Sequence, residues 1–296
     1  MTRFRAYQLG SEGSSFSYCD GTTFTLIEAR FTEMSQPSVM KELSLFKKTT
    51  IDTLHITSWD NDHCSPSELI DILDKLRPKR IEYPGYSPST DDGKKSLQLI
   101  KMYQEILQQQ YSTTINLASI TPEYINGLNT ANEKGYTNIL YHPKKIYENS
   151  NNNSVVQLFR SGSFTVLSLG DVESPEIADE IMSCGIAKTE VDVMILAHHG
   201  ADNGFTTDEF LKAIQPRITV CSSNYDNKFD HPKQEIKDLL YENNIRNFTT
   251  KTGDAIVEST NQNTGEFCVV NLISNNEEVS SMYNYKAKLI VQPETA

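Results

Sequence analysis

Three apolar runs in the second half of the chain set the tightest limit on its fold. FTVLSL (164–169), VDVMILA (191–197) and ITVCSS (218–223) are each six or seven residues long and rich in β-branched side chains. Runs of that length and composition are strands of the buried type. Helical patterns alternate with them. Ser174-Pro175 opens a helix that Gly185 should close, residues 207–214 carry Phe210, Leu211 and Ile214, and Pro232 opens a helix carrying Ile236, Leu239 and Leu240. Buried strands alternating with amphipathic helices predict an α/β fold in which helices cover the outside of the sheets.

The rest of the chain extends this plan. The first sixty residues read as strands, clearest in TFTLIEA (23–29) and IDTLHIT (51–57). A helix is predicted over SPSELIDILDKL, with Ser65 as N-cap, Pro66 in the first turn and Glu68 completing a capping box. Leu69, Ile70, Leu73 and Leu76 share one face, and Pro78 ends the run. RIEY (80–83) returns as a strand, residues 94–110 form a second helix through Leu97, Ile100, Tyr103 and Leu107, and DAIVES (254–259) and FCVVNLI (267–273) add two strands. The polar run ENSNNNS (148–154) is too short to separate moving domains. One domain over residues 1–274 is expected, followed by a peripheral segment or tail over 275–296.

Composition narrows the function. The formal charge of −12 excludes a protein that grips nucleic acid through a generally basic surface, yet leaves room for an anion at a locally cationic metal centre. No apolar stretch approaches the ~18 residues of a membrane span. The N-terminus lacks a long apolar segment, and five cysteines form no C-x-x-C pair. These features predict a soluble, cytoplasmic protein with reduced thiols and no membrane partner.

Acids and histidines gather where predicted strands end. IDTLHIT runs into Asp60, Asp62 and His63; FTVLSL ends in Gly170-Asp171; VDVMILA ends in His198-His199-Gly200; and His231 precedes the last helix. Carboxylate oxygens beside imidazole nitrogens suit Zn²⁺, Mn²⁺ or iron better than Ca²⁺. Singly, each segment also reads as a capping loop, a turn or an ordinary helix start. Together, in this order, they point to a shared cation.

The same motifs resemble those of the metallo-β-lactamase superfamily. The nearest resemblance is to the hydrolase domain of ComEC-type competence proteins and its free-standing relatives. It rests on Ser58-Trp59-Asp60-Asn61-Asp62-His63, Asn151-Asn152-Asn153-Ser154, Gly170-Asp171, Asp192-Val193 with His198-His199-Gly200, and Tyr225 to His231-Pro232. The resemblance implies an αββα sandwich with a metal site at one edge. It assigns Asp62, His63, Asp171 and His231 to one ion and Asp60 to a second, with Asp171 bridging. His198 becomes a ligand or a phosphate-contacting acid, and His199 a secondary candidate. The implied activity is phosphodiester or nucleic-acid hydrolysis through a metal-bound hydroxide, with Asp62, His198 and His199 as catalytic groups. Two departures stand out. Glu28 occupies a position where aspartate is usual, and Ser58 replaces a ligating histidine. A neutral hydroxyl is a poor ligand for Zn²⁺. The second ion therefore binds loosely, enters only with substrate, or is not used. Lactone or thioester hydrolysis, and a non-catalytic binding or regulatory role on the same fold, are the competing readings.

Overall fold

The computed structural model describes residues 1–131, 138–261, 264–274 and 276–289. Three short antiparallel strands open the chain: β1 (Arg3–Ala6), β2 (Phe16–Cys19) and β3 (Phe24–Ile27). Then come α1 (Gln36–Leu45), β4 (Thr53–His55), α2 (Pro66–Asp71) with a π-helical continuation over Ile72–Leu76, β5 (Arg80–Pro84), α3 (Asp91–Tyr111) and β6 (Asn116–Ile120). Helix α4 (Pro122–Ala131) and β7 (Asn138–His142) precede β8 (Val156–Phe159) and β9 (Val166–Ser168). Next are α5 (Pro175–Met182), α6 (Gly185–Glu190), β10 (Val193–Ile195), α7 (Asp208–Ile214), β11 (Ile218–Cys221), α8 (Gln234–Glu242) and β12 (Arg246–Thr249). Strands β13 (Ala255–Asn261), β14 (Glu266–Ile273) and β15 (Glu278–Lys286) return to the first sheet.

Among the described residues, nine strands form one sheet in the order β15-β14-β13-β1-β2-β3-β4-β5-β6, and six form the other in the order β12-β11-β10-β9-β8-β7. Side chains alternate across each strand, so an unbroken apolar run feeds two layers at once. Phe4, Phe16, Ile27 and Val257 of the first sheet meet Phe159, Val166, Val193 and Val220 of the second in a central layer. On the outer face of the first sheet, Phe24, Leu26 and Leu54 pack with Val39, Leu43, Leu69 and Ile100 of α1 to α3. On that of the second, Leu167 and Met194 pack with Ile177, Phe210, Leu211 and Ile236 of α5, α7 and α8. Each such side chain contributes ~1.5–3 kcal/mol on burial. The layers are helix, sheet, sheet, helix: the αββα sandwich.

Several local expectations differ from what forms. Helix α1 lies inside the stretch read as strands. Its buried face mixes Ser38 and Glu42 with Val39 and Leu43, which blurs the apolar period. Glu42 is buried because it accepts from both Arg3 and Arg5, each at 2.7 Å. The capping box of α2 does not form. Ser65 Oγ pairs with Ser67 Oγ, while Glu68 is drawn across to Arg30 at 3.0 Å. Gly185 opens α6 rather than closing α5. Residues 278–286 form an edge strand, whereas 275 and 290–296 lie outside the described residues. Among the described residues, no helix is long and apolar enough to cross a membrane.

Candidate metal centre

Residues just beyond the C-terminal ends of β3, β4, β9, β10 and β11 meet at one edge of the sandwich. After β4, the amides of His63 and Cys64 both bond to the Asp60 carbonyl, at 2.9 and 2.8 Å, closing a tight turn. After β9, Gly170 adopts φ +56, and a Cβ there would lie 2.8 Å from the Ser154 side chain. Only glycine carries the chain past that point without strain. After β10, His198, His199 and Gly200 are all left-handed, with φ of 44, 53 and 78. A Cβ on Gly200 would lie 2.6 Å from Pro232, so glycine also seats the turn against the loop that carries His231.

These backbone turns bring Asp62, His63, Asp171 and His199 together, with one potential ligand atom from each lying within 4.8 Å of the others. His63 Nε2 is 2.9 Å from Asp171 Oδ2, and His199 Nε2 is 3.3 Å from Asp62 Oδ2 and 3.9 Å from Asp171 Oδ1. Both nitrogens are buried, yet neither makes an aligned hydrogen bond. Lone pairs aimed at a shared point, rather than N–H groups aimed at an acid, are what a cation requires. The opposite ring nitrogens are anchored. His63 Nδ1 lies 3.0 Å from Glu28 Oε1, and His199 Nδ1 donates to the Ser222 carbonyl at 2.9 Å. Such anchoring sets the tautomer and frees Nε2 for a metal.

Electrostatics agree with this geometry. Burial opposes protonation of His63, but Asp171, Glu28 and Asp62 lift it well above its ordinary value. His199 is raised by the same balance, with Asp62 and Asp171 outweighing burial. Burial opposes ionisation of Asp62 and Asp171, yet His63 and His199 hold both below the usual carboxylate range. Two carboxylates and two imidazoles in a largely buried edge site fit a divalent ion.

The other expected residues lie outside this group of four. Asp60 Oδ2 accepts from Ser58, and burial raises its pKa. His198, expected to outrank His199, stands beside the group: its Nδ1 is buried and lies 2.6 Å from Glu173 Oε1, and its ring centroid is 6.3 Å from that of His199. His231 stacks on His199 at 11° with ring centroids 6.3 Å apart, and stands 5.9 Å from His198. Burial, then the two neighbouring rings, push its pKa down to about 4. Sequence reasoning passed over Glu173 and Tyr86, and took Glu28 as a defect rather than as the acid that orients His63. An apolar groove between α2 and α3, lined by Ile70, Leu73, Met102 and Tyr103, shares no residue with the centre.

No family model matches the sequence. The chain is 30% identical over 119 residues to ComE operon protein 3 of Bacillus subtilis strain 168, a match covering 40% of this chain and 15% of that protein. It thus spans well under a fifth of that relative's length. Among solved structures it is similar to Igni18, a metallo hydrolase from the hyperthermophilic archaeon Ignicoccus hospitalis. The TM-score is 0.51 at 12% identity, with 86% of this chain and 99% of that one covered. Tm1679, described as a metal-dependent hydrolase of the β-lactamase superfamily, aligns at a TM-score of 0.49 and 11% identity over 88% of this chain and all of that one. At such identities the likeness to Igni18 establishes a shared fold. With its αββα layers, the chain has the metallo-β-lactamase fold that its motifs resemble.

Proposed function

We propose that this protein is a metal-dependent hydrolase whose substrates are phosphodiesters, with nucleic acid as the leading class. The convergence of Asp62, His63, Asp171 and His199 carries the reading. A divalent cation held by these four groups would supply positive charge and acidify water at neutral pH. The chain's own residues do the rest. Asp62 orients the attacking water by accepting a hydrogen bond from it, while Glu28 and Ser222 hold the two ring nitrogens that face away from the ion. His198 stands beside the centre, about a quarter exposed and backed by Glu173, in a position to protonate a leaving oxygen. The charge of a bound cation would also offset a surface whose net charge of −12 repels a polyanion. The order of the motifs, similar to ComEC-type hydrolase domains, supports nucleic acid over lactones and thioesters.

The test is a substrate panel on metal-loaded protein: single- and double-stranded DNA, bis(p-nitrophenyl) phosphate, p-nitrophenyl esters and a lactone, each with Mn²⁺ and with Zn²⁺. Cleavage of the phosphodiesters that disappears in Asp171→Ala, with an unchanged circular-dichroism spectrum, is expected. Turnover retained in that variant defeats the assignment, and activity confined to esters or lactones replaces the substrate class.

A further inference from the structure

The hydroxyl that stands in the place of a ligating histidine has no lone pair left to give. Ser58 is fully buried and has three neighbours at hydrogen-bond distance. Its Oγ lies 3.2 Å from Asp60 Oδ2, 3.2 Å from the Asp60 amide and 3.3 Å from the Tyr86 hydroxyl. A serine hydroxyl offers one proton and two lone pairs. The proton goes to the Asp60 carboxylate, which can only accept. One lone pair takes the Asp60 N–H, and the other must then take the Tyr86 O–H. The Tyr86 oxygen in turn accepts from the Trp59 amide at 3.2 Å, and the Trp59 indole N–H bonds to the Tyr86 carbonyl at 3.0 Å. The hydrogen-bonding capacity of Ser58 is used in full, and Tyr86 is fixed at both ends.

The other candidate donors do not join a second cluster. Asp60 gives one oxygen to Ser58, and His198 Nδ1 lies 2.6 Å from Glu173 Oε1, a carboxylate held by the side-chain amides of Asn149 and Asn151 at 2.7 and 3.1 Å. Among the described residues, the four-membered group around Asp171 is the one cluster of three or more acids and histidines with ligand spacing.

We infer that the centre holds one divalent cation, and that the hydrogen-bonded group Tyr86–Ser58–Asp60 closes the position where a second would sit. This rests on the metal-hydrolase reading and specifies its stoichiometry. Tyr86 is a positioning residue: it saturates Ser58 and so keeps a second ion out. A two-ion route, in which one metal activates the attacking oxygen and another the leaving oxygen, is then closed to this chain. The leaving oxygen depends on a protein donor instead.

The experiment is metal counting rather than turnover. The full chain is saturated with Mn²⁺, passed through a desalting column, assayed for manganese per chain and examined by electron paramagnetic resonance. One ion per chain with the six-line spectrum of isolated Mn²⁺ is expected. Two ions with a spin-coupled spectrum overturn the inference while leaving a metal centre in place; no retained ion overturns the metal reading itself. The double variant Ser58→His with Tyr86→Phe restores a nitrogen donor and removes the blocking hydroxyl, and the count should rise from one to two. A folded double variant that stays at one ion overturns the role given to Ser58 and Tyr86. Should it fail to fold by circular dichroism, the wild-type count and spectrum remain decisive.

Discussion

Replacing Glu28 by glutamine isolates one oxygen-for-amide exchange at the heart of the site. Glu28 is buried, left-handed at φ 70, and its two oxygens serve two different partners. Oε2 accepts the Thr57 amide at 3.0 Å, while Oε1 accepts the Thr57 hydroxyl and lies 3.0 Å from His63 Nδ1. Glutamine fits the same space, but it has only one acceptor oxygen. If that oxygen stays with His63, the amide NH₂ confronts the Thr57 N–H, a donor against a donor. If the amide turns over, NH₂ faces His63 Nδ1 and drives the imidazole proton onto Nε2, the nitrogen aimed at the metal. Leaving one buried polar group unsatisfied costs ~1–3 kcal/mol. Losing the carboxylate that orients a ligating histidine lowers metal affinity ~10–100-fold. Urea unfolding in the presence of chelator measures the first effect, and competition with a chromophoric chelator measures the second. Wild-type affinity within twofold, together with an unchanged urea midpoint, would show that Glu28 does not set the His63 tautomer.

Three other outcomes follow from the same geometry. Gly170→Ala places a Cβ 2.8 Å from the Ser154 side chain at φ +56, so left-handed strain of ~1–2 kcal/mol adds to ~1–3 kcal/mol of overpacking. Urea melts should show that loss and metal titration a weaker site; a wild-type melt would refute the tight packing. Asp192 accepts from the Thr165 and Lys288 amides, and burial raises its pKa from 3.8 to about 6. Its folded state prefers the proton, so that stability is complete below the unfolded pKa and is lost as pH rises through about 6. At ~1.36 kcal/mol per unit, wild type should fall by roughly 2 kcal/mol relative to Asp192→Asn between pH 4 and 7. A pH-independent difference in unfolding free energy contradicts this. Finally, a cation at a hundred times its dissociation constant should stabilise the fold by ~2.7 kcal/mol, and excess chelator should remove that gain. Identical melts with and without chelator would count against a folded-state metal site.

Much of the scaffold was legible because both faces of the central strands are apolar. Val166 and Val193 face the inner layer while Leu167 and Met194 face helices, so the runs containing them announce buried strands without any tertiary knowledge. Helix α1 was hidden for the opposite reason. Its buried face carries Glu42, and burying a carboxylate makes sense only once Arg3 and Arg5, far away in the chain, are seen beside it. The missing capping box has the same origin, since Glu68 has a better partner in Arg30 than the local amide.

At the site, residue type and strand-end position are written in the chain itself: acids and imidazoles at junctions can be read directly, and their chemistry already implies a cation. Which of them meet depends on backbone turns that no spacing reveals. The consecutive left-handed residues at 198–200 override strand alternation, turning His199 inward and His198 towards Glu173. His231 reaches the centre only as a ring stacked on His199. Ser58, which stands where a ligand is usual, is likewise contacted by a residue twenty-eight positions on. Tyr86 arrives there because β4 and β5 pair in parallel, so the loops after both strands open at the same end of the sheet. A ligand set is a property of donors converging in space, and convergence is set by packing.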